Sequence, residues 1–280
     1  MAETFEIAVD NALIRGEATG FGVPVVFLHA GVADRRMWAE QMRALAAEGY
    51  HAVAYDRRGF GETETPDEPF SHIVDLEAVL DRLGLNAVVL VGCSRGGALA
   101  IDFALEHPGR VVALALVSTA LSGDEREAPE EVAEIEEQID YAAESGNLSR
   151  VNRLEARLWL DGPTSPEGRV SGPVRDLFFD MNRIALEHPP LTQEDKPDAA
   201  MEHLRLIAAP VLLVAGAHDG AETLERHEDL ADALPEAFAV IIEDTAHLPS
   251  LEQPEAFNDV LLEFLDAVTA SGDAIEDQRN

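Results

Sequence analysis

Two hydrophobic periods divide the chain. Near the start, FEIAV and ALIRGEA alternate apolar and polar residues, the period-two signature of half-buried strands. VPVVFLHA then runs apolar and β-branched without interruption, as a strand covered on both faces of a parallel sheet should. Helical and strand-like runs follow in turn. MWAEQMRALAAEGY reads as a helix closed by Gly49, HAVAYD as a strand, SHIVDLEAVLDRLG as a helix stopped at Gly84, and NAVVLVG as a strand. GGALAIDFALEHPG is the next helix, and VVALALVST the strand that closes this half. Alternation at this spacing marks βαβ units and hence a parallel sheet with right-handed crossovers.

The rhythm breaks after about residue 122. Up to about residue 200 the sequence offers acidic helical stretches, APEEVAEIEEQIDYAAESG, LSRVNRLEARLWL and VRDLFFDMNRIALEH, separated by Pro- and Gly-rich joints. The strand–helix alternation then resumes with APVLLVAGAHD, ETLERHEDLADAL, AFAVIIED and PEAFNDVLLEFLDAV. This pattern predicts an α/β core built from residues 1–121 and 201–270. A helical cap, 122–200, is inserted in it, and residues 271–280 form a polar tail. The cap is expected to lie over the carboxyl ends of the strands.

Charge changes the picture of partners. The chain carries 54 acidic against 20 basic side chains, a net charge of −34, and Lys196 is its only lysine. Nucleic acids and anionic membranes need a positive footprint, so neither is expected as a partner. A small-molecule substrate is expected instead, with self-association left open. The surface resembles that of salt-adapted proteins, and an arginine-rich coding bias explains it equally well. The N-terminal segment lacks a basic and apolar leader and no apolar run is long enough for a span, so a cytoplasmic protein is expected. Cys93 stands alone, which rules out an intrachain disulfide and a thiolate metal cluster. No metal and no cofactor is expected.

The chemistry concentrates in VLVGCSRGGALA. Gly92-Cys93-Ser94-Arg95-Gly96 fits G-x-S-x-G directly between a predicted strand and a predicted helix. Such a turn needs small flanking residues, and it presents the Ser94 hydroxyl at a helix N-terminus that favours developing negative charge. A serine needs a base. His247 follows the last strand and Asp219 the strand before it, which gives the order Ser…Asp…His. Asp244 and Asp124 are weaker alternatives for the acid, and Cys93 for the nucleophile. His218 and His227 are read as loop or surface residues, and His29 as structural. The oxyanion donors are expected to be the N–H groups of Arg95 and of Gly31 in the loop after VVFLH. In the cap, Trp159, Phe178 and Met181 are candidates for walling the substrate pocket.

With LHAGVADRRMW, YDRRGFGET, GCSRGG, GAHD and AHLPSLEQPEAF, the chain resembles the α/β-hydrolase superfamily, near the esterase-like serine hydrolases with a helical cap. The resemblance covers about residues 20–120 and 205–268. It implies that Tyr55–Gly61 is a structural loop held by Asp56, Arg58 and Gly59, and that Trp38 packs at the base of the first helix. Two positions depart from the family pattern. His29-Ala30 replaces the usual His-Gly, which leaves the position of the second oxyanion donor open by a residue. Arg95 replaces a neutral residue, and its side chain either greets an anionic substrate or salt-bridges to the acidic cap. Serine rather than aspartate at 94 disfavours the epoxide hydrolase and dehalogenase branches.

The expected function is hydrolysis of a carboxylic ester through an acyl-enzyme on Ser94. A C–C bond hydrolase, a lactonase and a cofactor-free perhydrolase use the same three residues and stay open. A non-catalytic ligand receptor is the alternative outside enzymes.

Overall fold

The computed structural model describes residues 2–276, with side chains to residue 270. The chain opens with an antiparallel pair, β1 (Glu3–Val9) and β2 (Ala12–Gly20), and continues with β3 (Pro24–Leu28), α1 (Ala39–Ala47) and β4 (His51–Tyr55). Helix α2 (His72–Leu83) starts where the Ser71 hydroxyl accepts the Ile73 N–H, and it ends at Gly84 in the left-handed conformation the sequence predicts. Then come β5 (Val88–Cys93), α3 (Arg95–Glu106) and β6 (Val111–Val117).

The predicted interruption follows. It comprises α4 (Glu130–Glu144), α5 (Leu148–Glu155), a π-helical turn over Ala156–Asp161 and α6 (Pro173–Glu187). Strand β7 (Val211–Gly216), α7 (Ala221–Ala233), β8 (Ala237–Ile242), the short α8 (Pro249–Glu252) and α9 (Pro254–Glu276) complete the chain. The last helix runs into the stretch expected to be a polar tail, and residues 277–280 of that tail lie outside the described residues. Among the described residues, no helix is long and apolar enough to cross a membrane.

All eight strands form one sheet in the order β1-β2-β4-β3-β5-β6-β7-β8. The contacts β1–β2 and β2–β4 are antiparallel, and every pairing from β4 to β8 is parallel. Strands β3, β5 and β7 are apolar throughout because both of their faces are covered. Along β3, Val25 and Phe27 face one layer with Trp38, Val91 and Phe257, while Val26 and Leu28 face the other with Leu76, Leu90 and Phe103. Trp38 is fully buried against the rings of Phe27 and Phe257, at the base of the first helix as expected. The strand order reverses beside β3, because β4 lies on one side and β5 on the other. In open α/β sheets the crevice at such a reversal is where ligands bind.

Two buried carboxylates near this crevice meet different fates. Asp75 on α2 receives Arg58 in a two-pronged pair, Nε to Oδ2 and Nη2 to Oδ1, both 2.8 Å. The pair ties the loop after β4 to α2 inside the protein. Asp102 on α3 has only the Ser122 hydroxyl on Oδ2 at 2.8 Å, and its Oδ1 has no partner. Burial therefore pushes the Asp102 carboxyl up to about 6.

Removing the charge of Asp75 strands a buried guanidinium. Asp75→Asn is expected to cost about 3–5 kcal/mol of unfolding free energy in a denaturant titration; a loss below about 1 kcal/mol would show the pair is dispensable. Asp102 behaves oppositely. Its folded form keeps a proton that the unfolded chain releases near 3.9. The stabilisation this carries is complete below about pH 4 and disappears as pH rises through about 6. Asp102→Asn should thus raise the unfolding temperature at pH 8 and change it little at pH 4, and equal shifts at both would contradict a desolvated carboxyl.

Candidate active site

Ser94 stands between β5 and α3 with φ 54° and ψ −118°, a conformation non-glycine residues rarely hold. The surrounding backbone fixes it there. The Ser94 N–H donates to the Val117 carbonyl, and the Ser94 carbonyl accepts N–H groups from Gly97, Ala98 and Ala120, at 2.9–3.1 Å. Close packing explains the glycines. A Cβ on Gly96 would stand 2.2 Å from the Leu28 carbonyl oxygen, and one on Gly92 would stand 2.4 Å from the Gly96 oxygen. Only hydrogen at these two positions lets α3 turn back directly against β3.

The acid and base predicted from chain order meet. The Nδ1 of His247 lies 3.0 Å from each carboxylate oxygen of Asp219, and both side chains are buried. Asp219 is not free to turn away, because its Oδ1 also accepts the Gly220 N–H at 2.9 Å. The competing acids are occupied elsewhere. Asp124 is held by Arg126 and Arg226, and Asp244 is exposed beside His218. His227 is buried on α7, which corrects its reading as a loop or surface residue: the helix turns that face inward.

Three contacts seat the His247 loop. The His247 N–H donates to the Trp159 carbonyl at 3.2 Å, and the Trp159 ring lies 4.6 Å from the imidazole, centre to centre. Cys93, next to Ser94, directs its thiol to the His247 carbonyl at 3.7 Å, which sets the β5 end beside the histidine loop. Burial pushes that thiol far up, so Cys93 is packing rather than a nucleophile. Among the described residues the Ser94 hydroxyl and the imidazole make no hydrogen bond; nucleophile–base contacts are often long in ligand-free enzymes.

Glu252 was not singled out from the sequence, though it lies inside the quoted AHLPSLEQPEAF. Its carboxylate accepts the N–H groups of Ala246 and Leu248, the two neighbours of His247, and is ion-paired with Arg169 of the cap. Arg169 in turn donates to the carbonyls of Leu160, Asp161 and Asp244. The histidine loop and the cap are thereby pinned together. A carboxylate three residues past a proline carried no periodic signal that would have revealed this.

On the opposite side of Ser94, the loop after β3 brings Gly31 against Arg95. A Cβ on Gly31 would lie 3.0 Å from Arg95 Cδ, so the two expected oxyanion residues are adjacent. The Ala30 N–H is engaged by Met37 Sδ at 3.4 Å and so is not free to serve as an oxyanion donor. Arg95 opens α3, and its amide belongs to the first turn, where N–H groups lack helical acceptors. His29 is structural, with Nδ1 toward the Ala30 carbonyl and Nε2 accepting the Arg57 N–H. Burial, reinforced by Arg57, holds it well below the usual histidine range. The loop after β4 is held as expected, since Asp56 accepts from Arg35 and from the Glu62 N–H.

A cavity of about 740 Å³ starts at Arg95 and Ala98 and runs between the loop after β4 and the end of the cap. The cap residues expected to wall a pocket divide. Trp159 sits on His247, whereas Phe178 and Met181 are fully buried in the core cluster and do not line this cavity, because the apolar stripe of α6 packs inward. Arg95 forms no ion pair with the cap among the described residues, although Glu155 on α5 senses its charge. Among the described residues no group of three or more His, Cys, Asp or Glu side chains is arranged to hold a metal.

Comparison with known proteins agrees with this geometry. A protein of the AB hydrolase superfamily from Bacillus subtilis, YisY, is 25% identical over 254 residues, covering 89% of this chain and 93% of the relative. The solved structure of a thermophilic esterase from Thermogutta terrifontis superposes with a TM-score of 0.77 at 26% identity, covering 95% of this chain and 99% of that one. Est816, described as an N-acyl homoserine lactone degrading enzyme, gives 0.73 at 26% identity, covering 92% and 99%. Residues 23–254 match the family of the alpha/beta hydrolase fold, and the chain belongs to that family of hydrolases.

Proposed function

We propose that this protein is a serine hydrolase of carboxylic esters that works through an acyl-enzyme on Ser94. The observation that carries the reading is the buried His247–Asp219 pair, 3.0 Å apart, on the loop that meets the end of β5 beside Ser94. In this mechanism Ser94 attacks the ester carbonyl while His247 takes its proton at Nε2. Asp219 holds the proton on Nδ1 and stabilises the imidazolium that forms. The N–H groups of Arg95 and Gly31 receive the oxyanion, and α3 adds the field of its N-terminus. His247 then protonates the departing alkoxide, and a water activated by the same imidazole releases the acid.

None of these steps calls on a metal or cofactor. The similarity to an esterase and to a lactone-degrading enzyme supports the substrate class, since a lactone is a cyclic ester opened by the same steps. The helical segment between β6 and β7 acts as the cap, with Trp159 closing over the imidazole. A small neutral or charged ester fits the approach better than a polyanion, which a chain of net charge −34 repels at a distance.

A fluorophosphonate probe is expected to label Ser94, located by peptide mapping, and Ser94→Ala should abolish both labelling and aryl-ester turnover. Asp219→Asn should keep the fold while lowering kcat about 10³–10⁴-fold, because it removes the group that fixes the imidazole tautomer. Labelling at Cys93, or a Ser94→Ala variant with full activity, would overturn the assignment.

A further inference from the structure

We infer that the cavity beside Ser94 selects esters whose acyl part ends in a carboxylate, received by the guanidinium groups of Arg95 and Arg57. This deepens the ester-hydrolase reading and rests on it for the chemistry, though not for the binding. The starting point is the scarcity of cations. Basic groups are outnumbered 54 to 20 along the chain, yet Arg57, Arg58, Arg95 and the single lysine, Lys196, all line this one cavity.

Most arginines near the sheet have found a carboxylate: Arg35, Arg36, Arg126, Arg169, Arg175 and Arg226 are all ion-paired. In the cavity, Arg58 is committed to Asp75. For Arg57, Arg95 and Lys196, no Asp or Glu oxygen lies within 4.0 Å among the described residues.

Arg57 makes the stronger case because it is buried, with only 3% of its surface exposed. One of its nitrogens donates to the carbonyls of His29 and Ala30, at 3.0 and 3.4 Å, and its buried Nε has no hydrogen-bond partner. A buried guanidinium without a counter-ion is costly, and a carboxylate guest in the cavity that Arg57 lines would supply the opposite charge. Burial lowers it to about 10, with Arg95 contributing, so it remains a cation at neutral pH. Its neighbour His72 also has a buried, unpartnered Nδ1. Burial, with Arg57, Arg58 and Arg95 behind it, pushes that imidazole down to about 3.

Arg95 supplies the link to the chemistry. It follows Ser94 directly in the chain, its stem lies along Gly31, and it lines the cavity. The wall also holds Asp102, Glu194 and Asp195, with Glu194 directed at His72 from 3.9 Å. The site is therefore not a positive field but a pair of donors within a mixed wall. Recognition is by contact, and it suits one short-range carboxylate rather than a polyanion.

The test compares 4-nitrophenyl pentanoate with the 4-nitrophenyl monoester of glutaric acid, equal in acyl length and differing by the carboxylate, at fixed ionic strength and with background hydrolysis subtracted. The glutarate ester is expected to be preferred at least tenfold in kcat/KM, and Arg95→Gln to lower that ratio at least tenfold, while Arg95→Lys keeps most of it. Each ratio is internal to one protein, so general damage to turnover cancels. A wild-type ratio of one or less overturns the inference while leaving the ester-hydrolase reading intact. If neither ester is cleaved and Ser94 resists the fluorophosphonate, the mechanism fails instead, and glutarate titrated calorimetrically into the wild-type protein decides the present point alone. Binding weakened at least tenfold in Arg95→Gln supports it, and absence of binding at millimolar glutarate refutes it. Arg95 is exposed, so its variants test the site where Arg57→Gln could fail to fold.

Discussion

Everything at the site follows from how closely α3 approaches β3 at the turn that carries Ser94. The approach places Gly96 against the Leu28 carbonyl, and the separation leaves no room for a side chain. It forces Ser94 into a left-handed conformation that costs energy, of order 1–3 kcal/mol for such residues. Four main-chain hydrogen bonds at Ser94 hold that geometry in place. In return, the loop after β3 and the first turn of α3 become neighbours, with Gly31 beside the stem of Arg95. Relaxing the turn would move the nucleophile and both expected oxyanion donors together.

The other half of the site is held by charge rather than by strain. His247 sits on a loop whose flanking N–H groups are taken by Glu252, whose carboxylate is in turn neutralised by Arg169 from the cap. The acid–base pair is therefore coupled to the cap through two ionised side chains and the Trp159 carbonyl. Burial raises the Glu252 carboxyl, so the Arg169 contact and the two amides must offset its desolvation for it to stay charged. This arrangement differs in kind from the turn at Ser94, where close packing against the Leu28 carbonyl rather than charge sets the geometry.

Much of this was legible in the sequence, because the elements there have strong periods and the nucleophile turn has a short, steric signature. The alternation predicted each strand of the sheet, and Ser71 and Gly84 bound α2 as cap chemistry requires. Asp219 and His247 could be named from chain order alone, and the structure brings them together. What failed was anything that depends on which way a side chain turns in the assembled protein. Phe178 and Met181 looked like pocket walls, but an apolar stripe is the same string whether it faces a core or a ligand. Glu252 was one acid among 54, and only the folded loop reveals it beside the amides around His247. Arg95 looked ready to pair with an acidic cap. Glu155, which senses the charge of Arg95, is instead hydrogen-bonded to Asn182.

That last point bears on what an acidic protein can recognise. A net charge of −34 acts over a Debye length, about 8–10 Å at ordinary ionic strength, and sets which molecules approach. Inside a cavity the governing quantity is different, namely whether each buried donor has an acceptor. Arg57 keeps a proton and lacks a counter-ion, in a chain with carboxylates to spare. Placing one of them beside Arg57 would have been the simple way to satisfy it, as Asp75 satisfies Arg58 at the next position. Two adjacent arginines, equally buried, thus play opposite parts. Arg58 joins the loop to α2, and Arg57 is left without a carboxylate partner on the wall of the cavity that Arg95 also lines. The long-range field and the local donors of this protein favour different things, and selectivity for a small, singly charged ester is where the two can be reconciled.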